Sequence, residues 1–409
     1  MQAQAFARPR DMAYDCPYMT IDVQYLPQDR LRPAVLALYA AAVIVLADMY
    51  LTQPILPLLS KEFGVAPAAA GLTVSSVVFF IALASTAIGP LSDRLGRKPV
   101  MVGSMALLAV PTLLCAFAPT FGTLLVLRGL QGICIPGLTA VAVAYLGDVV
   151  EPKALGSVVG GWIAANVAGG LIGRVASGVI TDFFGWRTVF VVFAALTFAA
   201  ALVLAATLPA TGRSRATGMR QAYMGMFAHL LNRRLFGAFL IGGALFFGFI
   251  GIFTYLPFYL TGAPFFVSPA LVAFAYVSYL AGVIVSPLAG RLSDRVDRRI
   301  LIGVGLIIAC LGIGLTLLRS LPIVVVGLFV LCTGMFTAQA VAPAFVNTVA
   351  VRAKGGANAL YLSFYYIGGT LGAVLPGLAW QAYGWEGVAA ACTGAFGLAM
   401  LANWLLCRP

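Results

Sequence analysis

Apolar residues run along this chain in stretches of about twenty, broken by short clusters of charge, glycine and proline. A helix rises about 1.5 Å per residue, so about 20 apolar residues cross the ~30 Å hydrocarbon layer of a bilayer. Twelve spans fit the pattern, over residues 34–59, 68–91, 99–118, 121–146, 155–181, 187–208, 235–260, 268–290, 300–318, 322–350, 356–382 and 386–407. They are numbered here 1 to 12. The predicted fold class is an all-α membrane protein, with twelve transmembrane helices in two pseudo-symmetric six-helix bundles over 34–208 and 235–409. Residues 1–33 are polar and lack the apolar run of a signal peptide, so they are expected to be an N-terminal tail. Residues 209–234 carry five Arg and no acid and are expected to be a linker.

The pattern contains itself twice. Gly89-Pro-Leu-Ser-Asp93-Arg94-Leu-Gly96-Arg97-Lys98 returns 201 residues later as Gly290-Arg-Leu-Ser-Asp294-Arg295-Val-Asp297-Arg298-Arg299. In span 5, Gly169, Gly170, Gly173 and Gly178 precede Gly185-Trp186; in span 11, Gly368, Gly369, Gly372 and Gly377 precede Gly384-Trp385, a shift of 199. Two registers that agree indicate an internal duplication, two copies of one structural unit. Glycine is a poor helix former in water, but in lipid it lets backbones approach. Spans 5 and 11 are therefore expected to pack closely on a neighbour, or to pivot against it.

Composition agrees with the spans: 62% of residues are hydrophobic and 9% charged. Of the 25 Lys and Arg, 20 fall in the tail, in the loops after even-numbered spans, in the linker or at the C-terminus. Lys61, Arg187 and Arg319 lie on the other side. Basic residues near helix ends resist translocation, which puts both termini in the cytoplasm. The net charge of +12 is thus a topology signal, and nothing suggests nucleic acid. Seven scattered Cys and one His support neither a disulfide framework nor a metal site, and no cofactor is implied.

Three ionisable residues lie well inside spans: Asp48, Arg128 and Arg174. Asp48 lies roughly 15 Å from the outer end of span 1, and the two arginines roughly 10 Å from the outer ends of spans 4 and 5. Buried charge is costly unless it is paired or lines water, so mutual pairing inside the N-terminal half is expected. The second half carries no counterparts: Arg174 maps onto Ala373, and Asp48 falls near Gly251. What occurs in one copy only points to function rather than scaffold; the alternative is an ion pair that locks the bundle. Asp48 is the candidate proton-coupling carboxylate, since burial favours the neutral acid and a guanidinium the carboxylate. In the second half Tyr255, Tyr259, Tyr361, Tyr365, Gln339, Asn347 and Asn358 could line a path for apolar or aromatic molecules, or form an interfacial belt.

Residues 89–98 fit Gly-x-Leu-x-Asp-Arg-x-Gly-Arg-Lys, a signature that resembles the loop between helices 2 and 3 of the major facilitator superfamily. Arg128-Gly-Leu-Gln131-Gly132 resembles that family's Arg-x-x-Gln-Gly. Asp48-Met-Tyr50-Leu51, with Gln53-Pro54 and Pro57, is similar to the first helix of twelve-helix drug:proton antiporters. The second loop departs at Asp297. Span 5 departs too, with Gly169-Gly170 and Gly173-Arg174 where the antiporters resemble Gly-Pro and Gly-Gly. The whole resembles inner-membrane permeases of the arabinose-efflux type. The resemblance implies a multi-pass protein of the bacterial inner membrane that exchanges a small organic molecule for protons; a monomer is expected, because two six-helix bundles need no partner subunit to enclose a path. Gly89, Asp93, Arg94, Gly96, Arg97, Lys98, Gly290, Asp294, Arg295 and Arg298 would form its gating loops. Physically, Asp93 can pair with Arg94 or Arg97 or face a helix N-terminus in the other half; a solvated loop that only fixes topology is the plain alternative.

Efflux with Asp48, Arg128, Gln131 and Arg174 in the cavity is the leading expectation. Two buried Arg against one Asp also suit uptake or exchange of an organic anion, and a membrane sensor or assembly protein is a third reading. No phosphate-binding Gly-x4-Gly-Lys loop and no Ser-His-Asp set is present, so neither ATP drive nor an intramembrane enzyme is expected.

Overall fold

The computed structural model describes residues 27–209, 229–350 and 354–408. Most of the tail, residues 210–228 of the linker and Arg352 lie outside the described residues. Within them the chain is nearly all helical, and 11 helical stretches are long and apolar enough to cross a membrane. Several spans break where proline removes an amide donor. Span 1 is helical over Gln28–Tyr50, turns, forms a 3-10 turn over Gln53–Ile55 that contains Pro54, and resumes over Leu56–Phe63. Span 8 is interrupted by a 3-10 turn at Tyr276–Tyr279, which contains no proline.

The last stretch, Gly355–Leu405, has 51 residues and would measure about 77 Å if straight. It breaks at Gly384, which adopts φ 59° and ψ −140°. Glycine alone takes this region without strain. Gly251 of span 7 touches Gly372 and Pro376 on one side of the break and Cys392 on the other. Nearer the start of span 7, Gly242 meets Tyr361 and Gly237 meets Ala402. The two segments therefore run antiparallel alongside span 7, as spans 11 and 12 require. Gly185, the counterpart of Gly384 in the first repeat, also has a positive φ, 80°, between spans 5 and 6.

Other repeated positions make matching contacts. Gly169 and Gly173 lie against the backbones of Val43 and Ala47, while Gly368 and Gly372 lie against Gly243 and Phe247. Spans 5 and 11 thus seat on spans 1 and 7 through the same register. Gly170 instead faces Arg174 and Tyr50, and Gly369 faces the Phe246 ring.

The charged loops clasp their own halves. Arg97 Nε bonds Asp148, just past span 4, at 2.7 Å, and not Asp93, for which the sequence offers Arg94, Arg97 or a helix N-terminus. Arg298 approaches the Thr348 hydroxyl and lies 3.9 Å from Asp294, so Thr348 stands where Asp148 does in the first half. The departure at Asp297 has a local cause. Gly96 ends span 2 at φ 97°, but Asp297, at φ −53°, accepts the Arg299 amide with its side chain and caps span 9.

Several contacts between the halves gather at one end. Ser75 donates to the Thr370 carbonyl at 3.0 Å, and Tyr255 to that of Ala373 at 2.7 Å. Gly71 packs on Ala373, and Gly377 on Ala68. Spans 5 and 8 meet where Gly178 packs on Pro269 and Ala273, and Asp182 accepts the Ala270 amide at 3.1 Å. At the opposite, basic end of these four spans, Gly89, Gly156, Gly160, Gly290 and Gly355 have open space where a side chain would stand. Spans 2, 5, 8 and 11 converge at the first end, and at the other nothing packs on these five glycines.

Candidate functional site

The break in span 1 sets up the site. An interrupted helix leaves carbonyls without intrahelical partners, which a membrane interior tolerates only where protein replaces them. Here side chains take up that role. Arg128 donates from Nη1 to the Asp48 carbonyl at 3.1 Å and from Nη2 to that of Met49 at 2.6 Å. Its Nε reaches the Thr73 carbonyl at 3.1 Å, and Nη1 also bonds Gln131 Oε1 at 2.8 Å. Ser177 donates to the Leu51 carbonyl at 2.6 Å. Arg128 is thus a buried cation whose every nitrogen is bonded, chiefly to backbone.

Asp48, fully buried, sits beside it in a network of neutral donors. Thr112 Oγ1 lies 2.8 Å from Oδ2 and the same distance from the Leu108 carbonyl. Gln131 Nε2 bonds Thr112 at 2.7 Å and lies 3.4 Å from both Asp48 oxygens. Neither arginine bonds the Asp48 carboxylate, which corrects the expected pairing. Arg128 holds the carbonyl of Asp48 instead, because a guanidinium fork fits two adjacent carbonyls at the break. Gln131 connects the two groups.

Arg174 lies apart from Asp48, between the halves. Its Nε donates to Gln53 Oε1 at 2.7 Å and its Nη1 to the Gly170 carbonyl at 2.5 Å. Gln53 in turn bonds Thr254 of span 7 at 3.2 Å. The guanidinium carbon is 3.7 Å from the Tyr50 ring centre, 4.8 Å from Tyr279, 5.2 Å from Tyr276 and 5.9 Å from Phe249. A cation from the first half is therefore boxed by Tyr50 of its own half and by three rings of the second, an arrangement worth most where water is excluded.

The aromatic candidates separate. Tyr365 belongs to the centre: its ring stacks 4.0 Å from Phe246 and its hydroxyl bonds Gln339 at 2.8 Å. Tyr361 stacks on Tyr365 and is buried against Gly242. Tyr255, in contrast, belongs to the seal, and Tyr259 stacks on Trp385 at 4.6 Å with its hydroxyl on the Thr316 carbonyl. Asn358 bonds Asn347 near the basic end. These three do not gather round Arg174, because each answers a polar group of its own surroundings.

Sequence reasoning missed Thr112, Tyr276, Tyr279 and Phe249. The aromatic residues look like ordinary membrane composition, and only span packing joins them to Arg174. The signal available for Thr112 was weak, a hydroxyl after Pro111 in an apolar run.

The Major Facilitator Superfamily profile matches residues 38–282 and 262–409. An uncharacterized MFS-type transporter of Bacillus subtilis, YybF, is 32% identical over 376 residues, covering 91% of this chain and 92% of its own. The Escherichia coli inner membrane transport protein YnfM is 35% identical over 357 residues, with 87% and 86% covered. Among solved structures, a bacterial homologue of the human lysosomal transporter Spinster, inward-facing and unoccupied, superposes with a TM-score of 0.77 at 19% identity, covering 93% of this chain and 95% of its own. The nucleoside transporter NupG also gives 0.77, at 14% identity, with 92% and 100% covered.

Proposed function

The chain belongs to the Major Facilitator Superfamily and is a multi-pass membrane transport protein, and from that premise we propose that it is a proton-coupled exporter of small organic molecules working by alternating access. Asp48 is the proton site. The observation that carries this reading is the hydrogen-bond geometry round its carboxyl, which can be satisfied in either charge state without moving a heavy atom. When Asp48 is ionised, the Thr112 hydroxyl donates to it. When Asp48 is protonated, its own O–H donates to Thr112 Oγ1, and the Thr112 proton turns to the Leu108 carbonyl at 2.8 Å. A hydroxyl has one donor and two acceptor sites, so Gln131 keeps its bond to Thr112 in both cases.

Arg128 holds the span 1 break open and fixes Gln131 against the carboxyl. With the basic end facing the cytoplasm, the seal formed by spans 2, 5, 8 and 11 closes the outer side, and the state described opens inward. Exchange for protons is supported by the likeness of the Asp48–Pro57 segment to drug:proton antiporters.

The test uses proteoliposomes and a substrate identified by comparing what cells with and without the chain accumulate. Wild-type protein should move that substrate against its gradient when a pH gradient is imposed. Asp48→Asn should abolish the pH-driven movement and retain exchange of labelled for unlabelled substrate. Full pH-driven accumulation by Asp48→Asn would remove Asp48 from coupling.

A further inference from the structure

Arg174 presents donors that the protein does not use. A guanidinium carries five N–H groups, and here Nε and Nη1 are bonded while Nη2 is buried without a hydrogen-bond partner. No acid forms an ion pair with it among the described residues; rings surround it instead. A charge solvated only by ring faces and two neutral acceptors is under-compensated in a low-dielectric interior. The Tyr279 hydroxyl, on one of those rings, is also buried and unpartnered.

The surroundings narrow what could complete this set. From Phe249 the aromatic rings continue through Phe246, 6.0 Å away and nearly parallel, to Tyr365 at 4.0 Å and then Tyr361 at 6.3 Å. The Tyr361 hydroxyl is a further buried group without a partner. Tyr365 and Tyr366, on span 11, are half-buried. Acids are absent from this region: the whole second half holds only Asp294, Asp297 and Glu386, all at span ends. A cationic ligand would meet the like charge of Arg174 and no carboxylate to offset it, and a neutral apolar one would leave Nη2 unanswered.

We infer that the Arg174 site binds a small aromatic carboxylate, its anionic group bonded to Arg174 Nη2 and the Tyr279 hydroxyl and its ring against the stack formed by Phe249, Phe246 and Tyr365. This deepens the transporter reading by naming the substrate class, and rests on it. Because the site lies between the halves, a bound carboxylate would supply part of the compensation that Arg174 loses when the Tyr276 and Tyr279 rings withdraw. That is a differential interaction of the kind a ligand needs to shift two states.

Equilibrium binding tests the inference without requiring transport, so its failure is distinct from failure of proton coupling. The purified chain in nanodiscs is titrated with radiolabelled naphthoate, in competition with naphthamide and with naphthylmethylammonium. Saturable naphthoate binding is expected, with the amide and the ammonium each at least about ten-fold weaker. Arg174→Gln should weaken naphthoate by about 10- to 100-fold, the fold-change of a lost charge-assisted hydrogen bond. Tyr279→Phe should weaken it a few-fold, and Arg174→Lys, which keeps charge but not the fork, should fall between wild type and Arg174→Gln. Absence of saturable carboxylate binding overturns the inference, as does ammonium binding equal to that of the carboxylate. Unchanged affinity in a folded Arg174→Gln protein overturns it too. Should Arg174→Gln fail to fold, the ligand selectivity and Tyr279→Phe still decide.

Discussion

Arg128 and Arg174 are the same residue, both fully buried, from neighbouring spans of one half. Their surroundings give them opposite roles. Arg128 spends its nitrogens on the carbonyls of Asp48, Met49 and Thr73 and on Gln131, all within the first half. Arg174 bonds two acceptors, leaves Nη2 unpartnered, and turns toward the aromatic rings of the second half. Burial and charge therefore do not mark a functional cation by themselves. The completeness of its hydrogen bonding does, because a saturated guanidinium has nothing left to offer a ligand.

The largest expected effect breaks this comparison at Arg128. Arg128→Gln leaves three buried carbonyls without their donor, at about 1–3 kcal/mol each. Loss of most monodisperse protein on size-exclusion chromatography is expected, together with a large drop in the thermal midpoint. Arg174→Gln comes next and should differ in kind. Relief of an under-compensated buried charge offsets the lost bonds to Gln53 and the Gly170 carbonyl, so the thermal midpoint should fall less than for Arg128→Gln while carboxylate binding weakens about 10- to 100-fold. Equal destabilisation by the two substitutions would erase the distinction.

Smaller effects sharpen it. Gly372→Ala drives a methyl into the Phe247 backbone and should cost about 1–3 kcal/mol as overpacking, seen as a lowered thermal midpoint. The smallest effect comes from Gly160→Ala, on the open end of span 5. Nothing lies near its added carbon, so a gain of about 0.5–1 kcal/mol from helix propensity is expected in the same measurement.

The halves were legible because duplicated residues carry duplicated backbone duties. Gly185 and Gly384 turn the chain between successive spans, and Gly173 and Gly372 seat span 5 on span 1 and span 11 on span 7. Such requirements are local and leave a fixed residue type behind. Asp48, Arg128 and Arg174 were legible as charges out of place, but not how they are partnered. Pairing looked inevitable from depth alone; the break at Pro54 offers carbonyls that compete for Arg128, and span packing carries Arg174 away to the second half. The aromatic box was hidden because tyrosine and phenylalanine are unremarkable in any span, and Tyr50 meets Tyr279 only across 229 residues of chain. Tyr255 and Tyr259 misled for the same reason: a helical spacing of four puts both on one face, but that face serves the seal and the Trp385 stack.

The central claim is that a proton on Asp48 biases two arrangements of the halves, and distance measurement by pulsed electron resonance tests it most directly. One spin-label pair, Lys61→Cys with Tyr383→Cys, reports on the sealed end; another, Lys153→Cys with Arg291→Cys, reports on the basic end, all at exposed positions. Two distances are expected at each end, and lowering the pH or introducing Asp48→Asn should shift their populations in opposite senses at the two ends. A single distance at each end, indifferent to pH and to Asp48→Asn, would contradict it.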